Sequence, residues 1–232
     1  MRDYLFESHL HTRQSSFCGL VDARDVVRDY HRGGYDGIVV TDHMYRYLLD
    51  DPSMTRRQCL DYYLQGYRIA RDEGDRIGLT VLLGMELTFR DHPWDFLIYG
   101  IDEAFLFHQE DLTRMSLDSF RKLAVGYDLF IAVAHPFRSP QPPPVWFVDG
   151  VEIYNGNPRH DSSNHLAKAW AAEHGLIAMA GSDFHQEGDR SSGIRLKGLP
   201  DTSLAFAELL RSGGITDLLI PGRSDRGIGS CY

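Results

Sequence analysis

The pattern that most limits how this chain can fold is a series of short apolar runs separated by helix-like stretches. The runs are "YLF", "GIVVTDH", "TVLLGMELTF", "DFLIYGID", "LFIAVAHP", "GVEIYN", "LIAMAGSDFH" and "DLLIP". A strand that is apolar throughout has no face to offer to water, so it belongs in a sheet covered on both sides. The stretches between them have helical spacing: Asp22, a good N-cap, to Arg32; about Arg56 to Glu73; Leu117 to Val125; Asn164 to His174; and Ser203 to Arg211. Strands alternating with helices predict an α/β fold with a parallel sheet. A chain of 232 residues is long enough for one large core. A closed or nearly closed β/α barrel in a single domain is the expected architecture.

On that scheme the chemistry-bearing side chains collect at strand ends. His9 and His11 follow the first strand, and Thr41, Asp42 and His43 follow the second. Glu86 lies late in the third, Asp95 begins the fourth and His135 ends the fifth. Glu152 and Asn155 end the sixth, and Asp183 and His185 end the seventh. In β/α barrels these ends form the active face. Residues two apart on a strand point the same way. His9 and His11 can therefore share one cation, at roughly 2.0–2.1 Å for zinc. Such a pair also fits a polar turn, so the other ligands must decide. Glu86 sits in "GMELTF", at the end of an apolar run where an unpaired carboxylate is costly to bury. His31, His160, His165 and His174 fall in or beside helical stretches and read as ordinary surface or packing histidines.

Composition narrows the partners. The formal net charge is −9, which argues against polymeric nucleic acid, since phosphate neutralisation needs clustered Lys and Arg. A small anionic substrate stays possible, because bound divalent cations would reverse the sign locally. No apolar run approaches ~18 residues, so no membrane span is expected, and "MRDYLFE" does not read as a secretory signal. Cys18, Cys59 and Cys231 fit a reducing, cytoplasmic setting better than a disulfide scaffold. "RSPQPPP" reads as a stiff surface loop.

The ordered motifs "HLHT", "VVTDH", "GMEL", "AHPFR" and "GSDFH" resemble those of the PHP (polymerase and histidinol phosphatase) family, from about Tyr4 to His185. The resemblance implies a distorted seven-stranded β/α barrel over about residues 4–200, closed by residues 201–232. It also implies two or three divalent metal ions at the barrel mouth, with zinc, manganese and iron as the candidates. By that resemblance His9, His11, Glu86 and Asp183 would hold the first ion. Glu86 would bridge to a second ion, also held by His135, and His43 and His185 would serve a third. Phe17 and Asp95 stand where some relatives have histidine, leaving Asp95, Asp102, His108 and Cys18 as candidates to complete the sites.

The function expected is metal-dependent hydrolysis of a small phosphate ester by an activated water. Asp42 would orient an imidazole or the water, or else cap the following turn. Arg138 would clamp a phosphate oxygen, with Arg13, Arg190 and Arg195 as weaker candidates. Two rivals stand beside this reading: a TatD-like or amidohydrolase-like metal hydrolase, and a non-catalytic barrel that uses metals for stability.

Overall fold

The computed structural model describes residues 2–45 and 47–222. Cys231 and the end of the expected closing segment lie outside the described residues. β1 (Tyr4–Leu10) leads to α1 (Ala23–Arg32), whose N-cap Asp22 accepts a hydrogen bond from Arg24 N. β2 (Gly37–Val40) and the two-residue β3 (His43–Met44) follow. The single helix expected from Arg56 to Glu73 is two helices, α2 (Arg56–Tyr63) and α3 (Gln65–Ile77), meeting at Leu64. The break lets the helices dock on the chain beyond β1 and β2. Tyr63 Oη donates to Asp42 O, and Gly66 lies so close that a Cβ there would fall 2.0 Å from Thr12 Oγ1.

The run "TVLLGMELTF" also divides, into β4 (Thr80–Leu83) and β5 (Met85–Thr88). A Cβ on Gly84 would lie 2.9 Å from Val39 Cγ1, so glycine lets the chain cross close over β2 as it changes sheets. Then come β6 (Asp95–Tyr99), α4 (Glu103–His108), α5 (Leu117–Gly126), β7 (Phe130–Val133), β8 (Gly150–Asn155) and α6 (Asn164–His174). β9 (Ile177–Gly181), β10 (Gly193–Leu196), α7 (Ser203–Arg211) and β11 (Ile215–Leu219) complete the described elements.

Among the described residues the strands form two sheets, ordered β11-β10-β1-β2-β4 and β3-β5-β6-β7-β8-β9. The fold is mixed α/β, and its ladders do not show the expected all-parallel, closed seven-stranded barrel. β6 is antiparallel to both β5 and β7, and β10 is antiparallel to β1 and β11. Loop length explains β6: the short connection from Thr88 to Asp95 permits an antiparallel return, whereas a parallel crossover needs about a dozen residues or more. The sheets meet at two seams. His11 N donates to Phe184 O (2.9 Å) and Phe184 N to His9 O (3.3 Å). At the other seam Gly84 N donates to Val40 O (2.9 Å) and Glu86 N to Asp42 O (3.2 Å).

The strands are apolar on both faces, as the sequence pattern requires. Val39, Leu97, Phe130 and Ala132 pack into an inner cluster with Phe6 and Met179. Their neighbours turn the other way: Ile38 and Val40 pack with Val26, Val27 and Ala70 of α1 and α3. Phe96, Ile98, Ile131 and Val133 pack with Phe120 of α5. α7 plugs the inner space at the beginning of β1 and the end of β6, where the Phe206 ring centre lies 5.9 Å from Phe6 and 5.1 Å from Tyr99. The other end of the inner space is left to polar side chains. No described helix is long and apolar enough to cross a membrane.

Glu73 ties α1 to α3. Its Oε1 accepts from Arg76 Nη2 (2.6 Å) and Arg28 Nε (2.7 Å), and its Oε2 from Arg76 Nε (2.9 Å). These bonds, Arg76 first and then Arg28, hold its carboxyl from the ordinary 4.5 down to about 2. A carboxyl lowered by folding stabilises the protein above its unfolded value, and the contribution is lost as pH falls through the folded value. Both arginines keep contact with water, so the effect is modest. Glu73→Gln should lower the melting temperature at neutral pH and flatten the acid limb between about pH 4.5 and 2. A melting curve against pH that superimposes on the parent's would refute the link.

Candidate metal centre

A register shift at the end of β1 aims the two histidines. Glu7 pairs with Ile38 and Leu10 with Val40, so three steps on β1 match two on β2. Leu5 and Leu10 therefore both face the outer cluster, although regular alternation would put them on opposite faces. His9 and His11 turn inward together, and both are fully buried, as is Glu86.

Four donor atoms converge there. His9 Nε2 and His11 Nε2 are 3.2 Å apart. Glu86 Oε2 lies 3.5 Å from the first and 3.3 Å from the second. Asp183 Oδ1 lies 3.4 Å and 3.3 Å from the same two nitrogens. Atoms bound at roughly 2.0–2.1 Å to one ion, at near-tetrahedral angles, stand about 3.3–3.4 Å apart. Glu86 Oε2 has no hydrogen-bond partner among the described residues. His43 Nδ1 approaches it to 3.0 Å, but not in hydrogen-bond geometry. An orphaned oxygen on a fully buried carboxylate is what an ion would satisfy. The other oxygen, Glu86 Oε1, faces His135 Nε2 at 3.2 Å, so this carboxylate spans two groups of donors. A third group joins His11, His43 and His185, whose ring nitrogens gather within 4.8 Å.

The outer hydrogen bonds fix which imidazole nitrogen carries the proton. His9 Nδ1 donates to Glu152 Oε1 at 2.9 Å, which turns Nε2 toward the centre. Ser16 Oγ gives its one proton to Asp42 Oδ1 (2.7 Å). It must therefore accept from His11 Nδ1 (3.3 Å), which leaves Nε2 free. His185 Nδ1 donates to Asp183 O at 2.7 Å. Three imidazoles thus direct Nε2 inward, and binding a metal ion requires that nitrogen without its proton.

Burial alone would lower His9, but the charges of Glu152, Asp183 and Glu86 raise it well above its ordinary value, so without an ion its Nε2 also carries a proton, which a bound metal would replace. Burial alone would raise the carboxyls of Glu86 and Asp183. The surrounding imidazoles, His43 and His9 for Glu86 and His9 and His11 for Asp183, hold both well below the usual carboxylate range. Burial, and then the charge of His43, bring His11 down to about 3, so it is neutral at pH 7. Burial alone would raise the Cys18 thiol, but hydrogen bonds with His185 and His43 bring it to about 7. His135 and Asp183 have positive backbone φ, 30° and 50°. Such strain clusters at functional sites, where surrounding structure enforces it.

The centre opens into a cavity of about 310 Å³ whose wall includes Phe17, Cys18, His43, Glu86, Asp95 and Arg138. A larger cavity, about 740 Å³ between α3 and α4, has no histidine on its wall, so size does not mark the site. Asp95 reaches the mouth because β6 is reversed: the beginning of this strand stands beside the end of β5, where Thr88 Oγ1 donates to Asp95 Oδ1 at 2.5 Å.

The structure brings together all seven residues read as metal ligands. Of the four left open to complete the sites, Asp95 and Cys18 line the cavity. Asp102 instead caps α4 through Phe105 N (2.6 Å), and His108 is exposed, with its ring against Ala104 O (2.7 Å). Asp42 sits behind the centre, where burial raises it to about 6 and Thr12 and Ser16 donate to it. Arg138 lines the cavity, its Nη2 shared between Asn155 Oδ1 (2.8 Å) and Asp183 Oδ2 (2.9 Å). Arg13 and Arg190 pair with Asp22 and Asp29, away from the cavity. Arg195 lies on β10, also off the cavity wall. His160, read as an ordinary surface histidine, is exposed but stands at the cavity rim.

A family model for the PHP domain matches residues 7–211. The chain belongs to the PHP domain family. Members of this family are metal-dependent and are in general phosphoesterases. Solved structures share the fold at low identity. A two-domain protein from Bacteroides vulgatus containing a predicted PHP-like metal-dependent phosphoesterase matches with TM-score 0.65 and 19% identity, over 92% of this chain and 64% of that one. This PHP chain therefore spans less than two thirds of the Bacteroides protein. A candidate metal-dependent phosphoesterase from Bifidobacterium adolescentis matches with TM-score 0.53 and 18% identity, over 88% of this chain and 95% of that one. An amidohydrolase from Chromobacterium violaceum, with bound sulfate and no metal, matches with TM-score 0.57 and 17% identity, over 90% and 96%. No curated protein sequence matches the chain.

Two supporting residues of this PHP centre have no role in the sequence reading. Glu152 accepts from His9 Nδ1, from His135 N (3.1 Å) and from Asn155 Nδ2 (2.8 Å). Its place at a strand end was the available signal. Ser16 lies beside Phe17, the position where some relatives have histidine, but its partners Asp42, His11 and His43 N are set only by the tertiary fold. Replacing a carboxylate behind a ligand histidine typically costs 10–100-fold in metal affinity. Glu152→Gln should weaken zinc binding by about that factor, with the circular dichroism spectrum unchanged. Calorimetric titration giving the parent affinity would show that Glu152 does not set the His9 tautomer.

Proposed function

We propose that this PHP chain hydrolyses a small phosphate ester, using two or three transition-metal ions held by His9, His11, His43, Glu86, His135, Asp183 and His185. The observation that carries the reading is that Glu86 Oε2 and Asp183 Oδ1 each lie 3.3–3.5 Å from the buried nitrogens His9 Nε2 and His11 Nε2, themselves 3.2 Å apart. Imidazole and carboxylate donors together suit zinc, manganese or iron. Bound there, such ions supply an activated water near neutral pH and neutralise charge on a phosphoryl group.

The chain's own residues do the rest. Glu86 carries negative charge to two donor groups at once, and its burial keeps water from competing for either oxygen. Glu152 and the Asp42–Ser16 pair hold His9 and His11 in the tautomer that faces inward. Arg138 spends Nη2 on Asn155 and Asp183 and Nε on Ser162 Oγ (3.0 Å). Its Nη1 has no hydrogen bond among the described residues, and is placed to meet a phosphoryl oxygen. The cavity, about 310 Å³, has room for a small ester. The net charge of −9 supports a phosphomonoester or nucleotide-type substrate over a nucleic acid polymer.

The test is phosphate release from a panel of phosphomonoesters and nucleotides, with metal-loaded and chelator-treated protein. Glu86→Gln keeps the side-chain volume but removes a charge shared by two donor groups. It should lower the occupancy of two ions and reduce turnover by orders of magnitude, while His43→Ala should lower the occupancy of one. Full metal content with near-normal turnover in Glu86→Gln would remove the bridging role. Metal-dependent amide hydrolysis without phosphate release would favour the amidohydrolase-like alternative.

A further inference from the structure

A second cavity, about 550 Å³, opens beside the one at the metal centre, and the two share Phe17, His43 and Asp95 on their walls. Arg138 lines only the first. The second is walled largely by rings. The Phe17 ring centre lies 5.7 Å from that of His43, with the planes 25° apart, and 5.6 Å from that of Tyr45, edge to face. Tyr45 in turn meets Tyr47 at 6.4 Å. Phe17 is 77% exposed and Tyr47 60%. Single exposed rings are ordinary, but a run of touching ones at the rim of a polar site marks a surface that meets something apolar.

The patch is held in place. Ser16 Oγ, one residue before Phe17, accepts from His43 N at 3.0 Å, and Leu20 N donates to His185 O at 2.7 Å. Gly19 lies so close to the chain after β1 that a Cβ there would fall 2.6 Å from Thr12 O. The Phe17 segment is thus pinned on both sides to the centre it overhangs, and a ligand would not have to order it. Arg90, at the far wall, is held by Asp50 (2.8 Å) and Asp111 (3.0 Å), so its charge is matched.

We propose that this second cavity receives the alcohol side of the substrate, and that this group carries an aromatic ring packed against Phe17 and Tyr45. The proposal rests on the reading of the centre as a phosphate-ester site and names the chemistry of the ester's other half. The phosphoryl group faces Arg138 and the metal ligands, and the ring lies across the shared wall at Phe17 and His43. An aromatic ring there makes offset or edge-to-face contacts that a saturated ring of the same size does not.

The test is calorimetric titration of zinc-loaded protein with benzylphosphonate and with cyclohexylmethylphosphonate, which match in charge and length and have no ester bond to cleave. The parent should bind the benzyl compound more tightly by about 2–10-fold. Phe17→Ala should bring that ratio close to one, and Phe17→Trp should restore it. Tyr62→Ala, altered in an exposed ring of α2 off both cavities, should leave it as in the parent. Displacement of bound benzylphosphonate by AMP at lower concentration than by ribose 5-phosphate would assign the ring to a nucleobase, and equal potency to a smaller aryl alcohol. A parent that binds the benzyl compound no more tightly than the saturated one, or a ratio unchanged in Phe17→Ala, would overturn the subsite and leave the phosphate-ester reading standing. So would a parent dimer that Phe17→Ala dissociates in light scattering without changing the ratio, since a second copy would then be what covers the patch. Loaded protein that binds neither phosphonate nor inorganic phosphate would overturn both readings.

Discussion

Two imidazole nitrogens, His9 Nε2 and His11 Nε2, lie 3.2 Å apart in a place closed to water, each ring held from behind through Nδ1. The carboxylate oxygens of Glu86 and Asp183 beside them add negative charge, which raises His9 well above its ordinary value. Burying such groups without a compensating positive charge costs several kcal/mol per ion. The rest of the structure either maintains this convergence or makes it usable. The donors could hold a metal ion in place of protons, in keeping with the metal dependence of the PHP family.

The fold maintains the convergence by dividing its interior. The strands are apolar on both faces, so most of the inner space fills with Phe, Leu, Val and Met side chains. α7 seals one end with Phe206, Ala207 and Leu210. The polar side chains are left the other end, and three local departures from regular structure aim them. The register shift in β1 turns His9 and His11 inward, and positive φ at His135 and Asp183 directs those residues from the chain beyond β7 and β9. Each departure carries a conformational cost, and each falls at a candidate ligand or its approach.

Behind the donors stands a ring of hydrogen bonds that a census of ligands alone would omit. Asp42 acts through Ser16 rather than on its neighbour His43, and Glu152 serves His9 and the backbone of His135 together. These contacts decide tautomers, and through them whether an imidazole can bind a cation at all. Arg138 does the same from the cavity wall, bonding Asp183, Asn155 and Ser162 together.

The sequence by itself determined the elements and the donors. Apolar runs fixed the strands as doubly buried, and helical spacing with a capping Asp22 fixed α1; the limits read for α6 and α7 match the structure. His9, His11, His43, Glu86, His135, Asp183 and His185 stand out in the sequence as chemistry-bearing residues at strand ends, and the resemblance to the PHP family singled them out as candidate ligands. What the tertiary structure decided was anything that depends on partners distant in the chain. The antiparallel course of β6, which brings Asp95 to the mouth, follows from a turn and a pairing choice rather than from strand composition. The break at Leu64 answers to Thr12 and Asp42, far away in sequence. The selection of Cys18 and Asp95 over Asp102 and His108 rests on a cavity wall assembled from separate segments. Local pattern carries the propensity of each segment, whereas the geometry of a site arises from contacts between segments, and those exist only once the chain has packed.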